Sequence, residues 1–183
     1  MFKALTGDIF ASQAQTFVNT VNCVGVMGKG VAFEFKKRFP EMFADYAKRC
    51  ERGQVQLGEP YLYRDGSGAS IVNFPTKSHW RAASRLTDIE RGLDYFAAHA
   101  TEWGITSVAF PALGCGNGGL EWAEVGPLLS AKLNNLDIDV EVYAPCGTPR
   151  TELTEQFLPA SPKMSLEGKG RRGEESIQSE LLW

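Results

Sequence analysis

The feature that most constrains this chain is the run Asn19-Thr20-Val21-Asn22-Cys23-Val24-Gly25-Val26-Met27-Gly28-Lys29-Gly30-Val31-Ala32. A short apolar strand, Phe17 to Val21, enters it, and a helical pattern leaves it. Between them lie glycines at 25, 28 and 30. Strand, glycine loop, helix is how a chain offers bare backbone N–H groups to an anion. Glycine allows close approach, and the helix start adds unpaired donors and a partial positive charge. The spacing G-x-x-G-x-G is neither the dinucleotide fingerprint nor a P-loop. A second glycine loop, Gly114-Cys115-Gly116-Asn117-Gly118-Gly119, follows another apolar strand, Val108 to Phe110. Two such loops in one α/β sheet are expected to meet at a single edge, where open sheets take their ligands.

The remaining pattern alternates strands and helices. Phe2 to Leu5 reads as a strand closed by Gly7-Asp8, and Gln13 to Gln15 as linker or turn. Apolar spacing predicts helices over 31–39 and from Pro40 to about Gly53. Tyr61 to Tyr63 and Ser70 to Phe74 read as strands, the second leading into Pro75-Thr76-Lys77. Ser78 to Arg85 reads as a polar loop. Thr87-Asp88-Ile89-Glu90 matches a capping box for a helix whose stripe runs to Trp103 and stops at Gly104. A helix striped from Trp122 to Leu136, a strand from Asp139 to Ala144 and a last helix over 150–158 complete the reading. This order predicts a three-layer α/β/α domain with a mixed, largely parallel sheet. The domain is expected over 1–158, with a flexible tail over 159–183 where composition turns to glycine, proline and mixed charge.

Composition sets limits. The 183 residues are 43% hydrophobic, enough for one core, and the formal net charge of −3 provides no global attraction to nucleic acid or anionic lipid. No apolar run reaches membrane-spanning length and the N-terminus lacks a signal-peptide pattern, so a cytoplasmic protein without membrane contact is expected. The four cysteines form no C-x-x-C pair and read as reduced packing residues, Cys23 and Cys115 included. Two histidines do not make a metal site, and neither metal nor cofactor is expected.

Gly7-Asp8-Ile9, Val18-Asn19-Thr20-Val21-Asn22, the first glycine loop, and the run Pro111-Ala112-Leu113-Gly114-Cys115-Gly116-Asn117-Gly118-Gly119-Leu120 resemble a macrodomain over about residues 1–147. The first loop together with Asn73-Phe74-Pro75-Thr76-Lys77 is similar to the DarG antitoxin branch, which is related to lysine-using terminal ADP-ribose glycohydrolases. The resemblance implies an ADP-ribosyl glycohydrolase that removes ADP-ribose from thymidine in DNA modified by a DarT-type toxin. ADP-ribose is then ligand or product. The implied partners are ADP-ribosylated DNA, single-stranded, and a cognate toxin, with the chain itself a monomer. A hydrolase for protein-linked ADP-ribose or for ADP-ribose 1''-phosphate, and a non-catalytic ADP-ribose reader, stand as alternatives.

Carried over by residue, the resemblance makes Lys77 and Asn22 catalytic. Asp8 and Ile9 take the adenine end. Val24, Gly25, Val26, Met27, Gly28, Lys29, Gly30, Thr76, Gly114, Cys115, Gly116, Asn117 and Gly118 clasp the rest of the ligand. The lysine-using relatives pair the lysine with an aspartate in the second loop, whereas here no acid precedes Glu121. Read from the residues alone, Asp8 also suits a turn cap, and Asn22 a pin for the loop backbone. Lys77, Arg81 and Arg85 carry positive charge through a stretch without acids that also holds His79 and Trp80. Basic residues interleaved with an aromatic suit single-stranded nucleic acid, so His79, Trp80, Arg81 and Arg85 are the DNA-contact candidates. A solvated loop with Trp80 folded onto the core is the competing reading.

Overall fold

In the computed structural model the described residues are 1–159 apart from 65, 67 and 69. Their sheet has six strands: β1 (Phe2–Leu5), β2 (Thr16–Asn22), β3 (Tyr61–Arg64), β4 (Ser70–Lys77), β5 (Ser107–Pro111) and β6 (Asp139–Tyr143). Their order is β1-β6-β5-β2-β4-β3. Only β3 runs against its neighbour; every other pairing is parallel. The mixed, largely parallel sheet is therefore as read from the sequence. Four helices cover it: α1 (Gly30–Arg38), α2 (Pro40–Glu51), α3 (Leu86–His99) and α4 (Trp122–Leu133).

The three layers follow from strand periodicity. Val18, Val72 and Phe74 point to one face and pack with Leu93 and Phe96 of α3 and Leu129 and Leu133 of α4. Val21 and Ile71 point to the other and pack with Phe35 of α1 and Met42 and Tyr46 of α2. Successive side chains in a strand alternate faces, so a strand buried on both sides is apolar nearly throughout. The chain leaving β2 crosses one face through α1 and α2, and the chains leaving β4 and β5 cross the other through α3 and α4. The carboxyl ends of β5, β2 and β4 lie side by side at this switch in direction, the usual place for a ligand.

Several local expectations are corrected. β4 continues through Pro75 to Lys77 instead of ending at Phe74. Proline has no N–H to give the ladder, and the β2–β4 register shifts between Val21 and Asn22, beside it. Thr87 does not cap α3: the N-cap is Arg85, without a side-chain cap bond, and Arg85 Nε instead donates to Asp88 Oδ2 at 2.8 Å. The helix ends at His99, with Trp103 in the following turn. Residues 150–158 form a short 3-10 turn, Arg150–Leu153, and then further turns. A segment of nine residues is not held helical by propensity alone, so tertiary packing has the deciding word. Here the buried Leu158 side chain and the bond from Ser130 Oγ to Leu158 O, 3.0 Å, fix the segment. The 3-10 turn Ile9–Ala11 was not anticipated. The tail assigned to 159–183 lies, beyond Pro159, outside the described residues.

Candidate functional site

The two glycine loops meet, as their positions after strands predict. β2 and β5 are adjacent, so the loops that follow them flank one cleft of about 610 Å³. Asn22, Val26, Gly28, Lys29 and Gly30 line it from the first loop. Gly114, Cys115, Gly116, Asn117 and Gly118 line it from the second, and Thr76, Lys77, Trp80 and Arg81 from the end of β4 and beyond. A Cβ on Gly30 would stand 3.2 Å from Asn117 Nδ2, which measures how closely the loops approach. α1 begins at Gly30 with Lys29 as N-cap, no side-chain cap bond and no acid in its first turn. Its first N–H groups are thus free to meet an anion, with the helix dipole in support.

The second loop is held by the close packing of its own backbone. A Cβ at Gly118 would overlap Gly114 O and Ser84 Oγ, so no other residue fits there. Ser84 N donates to Gly118 O at 2.9 Å and Leu120 N to Gly114 O at 3.0 Å, closing the loop on itself.

Lys77 stands at the centre. Its Nζ donates to Asn117 O at 2.9 Å and to Trp80 O at 3.1 Å, joining the second loop to the turn after β4. Burial lowers its pKa below the ordinary lysine value. Among the described residues it has no carboxylate partner: Glu121 is the N-cap of α4 and does not line the cleft. Asn22 is buried and committed to the loop. Its Oδ1 accepts from Val24 N at 3.0 Å and Val26 N at 3.3 Å, and its Nδ2 donates to Val26 O at 2.6 Å. The pinning role read from the residues is therefore present, alongside a place on the cleft wall.

Other assignments shift. Met27 does not face the cleft. It is buried beneath the loop against Val21, Phe35 and Met42, with its sulfur 3.8 Å from Asn19 Nδ2. An unbranched apolar side chain gains more there than at a wet mouth. Val24 and Gly25 also lie off the cleft; Gly25 turns the chain with φ +79° against Ala47 and Cys50 of α2. Asp8 and Ile9 line a neighbouring recess of about 390 Å³, with Val31 common to both. Asp8 Oδ1 accepts from Phe10 N at 3.0 Å, the turn cap its type suggests. Thr20, Val21, Val31, Ala32 and Ala112 line the cleft and were missed, because small and apolar residues at strand and helix ends carry no chemical signal in sequence. The thiols of Cys23 and Cys115 are pushed up to about 11 by burial, so both stay protonated and inert near neutral pH.

The turn after β4 separates its four candidates. Trp80 is 45% exposed at the lip of the cleft, not folded onto the core. Arg81 lies over its ring at 4.4 Å. His79 stacks behind Trp80 at 5.3 Å and accepts from Arg81 N at 3.2 Å, so it shapes the turn without lining the cleft. Arg85 stays exposed, pairs with the buried Asp88 and does not line the cleft. Among the described residues no helix is long and apolar enough to cross a membrane. Nor does any group of three or more His, Cys, Asp or Glu stand where it could hold a metal.

Comparison with known proteins gives this geometry a family. The DNA ADP-ribosyl glycohydrolase of Mycobacterium tuberculosis is 46% identical over 149 residues, covering 79% of this chain and 42% of that protein. This chain therefore spans less than half the length of that relative. The solved macrodomain of Thermus aquaticus DarG superposes with a TM-score of 0.75 at 44% identity, over 79% of this chain and 99% of that one. Thermosipho africanus DarTG in complex with ADP-ribose superposes with a TM-score of 0.81 at 39% identity, over 86% of this chain and 45% of that one. The Macro domain family model matches residues 18–129, from β2 through both glycine loops into α4, and this chain belongs to that family.

Proposed function

We propose that this chain binds ADP-ribose in the cleft between its glycine loops and hydrolyses the glycosidic bond that joins ADP-ribose to a base of DNA. The observation that carries the reading is Lys77. It lines the cleft, its ammonium bonded to Asn117 O of the second loop and to Trp80 O, beside the exposed Trp80–Arg81 lip. Relatives named DNA ADP-ribosyl glycohydrolase support the substrate class.

Each element then has a chemical task. The free N–H groups of α1 and the second loop take the diphosphate. Asp8 and Ile9 in the neighbouring recess take the adenine end. Lys77, deprotonated at lower cost than a fully solvated lysine, attacks C1'' of the distal ribose. The C1''–N bond breaks, its electron pair leaves on the base nitrogen, and that nitrogen takes a proton. Water then adds to C1'' and releases the amine. Trp80 and Arg81 hold the strand that carries the modified base, by stacking and by charge. The partner in the cell is a DarT-type toxin that installs the modification, the compartment is the cytoplasm, and the chain works as a monomer. Asn22 contributes by fixing the first loop.

Incubating the protein in parallel with ADP-ribosylated single-stranded DNA, ADP-ribosylated protein and ADP-ribose 1''-phosphate tests the reading. Release of ADP-ribose from DNA alone is the expected result. Turnover confined to protein or phosphate substrates reassigns the linkage, and binding without turnover makes the chain a reader.

A further inference from the structure

We propose that Tyr46, on the second helix and outside the cleft, is the positioning residue that sets the shape of the first glycine loop through Asn22. Tyr46 is fully buried, with 0% exposure, among the apolar residues of α2 and the loop. Its hydroxyl lies 2.7 Å from Asn22 O and 3.0 Å from Asn22 Oδ1. A phenol has one hydrogen, which is shared between these acceptors and favours the nearer. The backbone carbonyl it reaches belongs to the residue where β2 leaves the β4 register. A buried backbone carbonyl needs a donor, and the Tyr46 hydroxyl provides one.

Asn22 passes this placement on. Its Oδ1 gathers the N–H groups of Val24 and Val26, and its Nδ2 holds Val26 O. Three of the loop's backbone groups are thereby fixed by one side chain, and that side chain is fixed from behind by Tyr46. Burial raises the phenol pKa, so it remains a donor throughout the accessible pH range. The loop's glycines leave it floppy on their own, and fixing it before the ligand arrives removes an ordering cost from binding. Tyr46 thus acts on ligand affinity without touching ligand.

The inference rests on the cleft reading for its affinity arm only. Tyr46→Phe keeps the ring and removes the hydroxyl. Backbone amide exchange is measured in the apo-protein: Val24 and Val26 are expected to exchange about tenfold faster than in wild type, matching the loss of one buried hydrogen bond. Val108 of β5 serves as the internal standard and stays protected. Unchanged exchange at Val24 and Val26 overturns the proposal, whether or not any ligand binds. ADP-ribose affinity is expected to fall about tenfold with kcat unchanged on saturating substrate. A fall in kcat alone also overturns it. If wild type fails to bind ADP-ribose, the cleft reading fails and the exchange result still decides the role of Tyr46. Asn22→Ala removes the side-chain acceptor, keeps the backbone carbonyl that is the hydroxyl's nearer partner, and frees the same two amides directly, so it sets the upper limit of exchange against which Tyr46→Phe is read.

Discussion

Asn22 and Lys77 are partners in register on adjacent strands because β4 carries one residue more than β2 at that point. Val21 pairs with Pro75, Asn22 pairs with Lys77, and Thr76 is left over, its Oγ1 3.4 Å from Val21 O. An extra residue in one strand re-aims the side chains beyond it. Here it delivers Lys77 to the cleft, where Asn117 O and Trp80 O accept from its ammonium. The fold's one register shift in β2 and β4 thus sets the catalytic candidate beside the residue that holds the first loop.

Replacing Lys77 by alanine is expected to lower kcat on ADP-ribosylated DNA by more than about 10²–10⁴-fold, the range for a positioned proton-transfer group, because a nucleophile is lost. ADP-ribose affinity, measured by calorimetry, should change little. Lys77→Arg should fail equally, since a guanidinium stays protonated and cannot attack. A Lys77→Ala protein that turns over near the wild-type rate refutes the mechanism.

The rate should rise with pH. Burial disfavours the charged form of Lys77, so the amine becomes free below the ordinary lysine value of 10.5. With the free amine as attacking group, kcat climbs as pH increases through that lowered pKa and then levels. A profile that falls over the same interval would assign the ammonium to protonating the departing nitrogen.

Trp80→Ala with Arg81→Ala should weaken binding of modified single strands while free ADP-ribose binding survives. Base stacking contributes about 1–3 kcal/mol per base, which corresponds to roughly 5–150-fold in affinity. Loss of one phosphate contact should reduce the slope of log affinity against log salt by about 0.7. Arg85→Ala should leave that slope unchanged, because its guanidinium is paired with Asp88. Equal loss of DNA and ADP-ribose binding would remove support for the lip.

Gly28→Val tests the first loop with little disturbance to the fold. A Cβ there meets only Val26 Cγ1, at 3.8 Å, an ordinary contact. ADP-ribose at about 100 times its dissociation constant should stabilise wild type by about 2.7 kcal/mol, a rise of roughly 5–10 °C in melting temperature. The variant should melt like wild type alone and lose that rise. A retained shift would show that ligand does not approach the loop.

Gly92→Ala should destabilise the fold. A Cβ at Gly92 on α3 would overlap the Phe74 ring of β4. Overpacking costs about 1–3 kcal/mol, while the better helix preference of alanine returns at most about 1 kcal/mol. The expected net is a lower melting temperature by thermal scan, with ADP-ribose affinity intact; an unchanged or higher melting temperature would contradict this packing.

The sequence by itself determined the layers and the meeting of the loops. Both are local in origin: alternation of apolar residues fixes which face each strand buries, and a glycine loop must follow the strand that precedes it. Lys77, the cleft-lining glycines and Trp80 at the lip could be named on those grounds and on the family pattern. Tertiary structure alone decided which neighbouring side chains reach the cleft. Met27 reads like its neighbours in the loop, but the space under Val21 and Phe35 takes it inward. Arg85 reads like Arg81, but it pairs with Asp88, three residues on and buried at the start of α3, and does not line the cleft. Tyr46 reads as one more aromatic on a helical stripe. Its hydroxyl acquires a task only because the fold sets it 2.7 Å from the Asn22 carbonyl, beside the register shift. Each is a contact between segments distant in sequence or newly adjacent through a turn, and periodicity carries no record of which polar atom another element will leave unpaired.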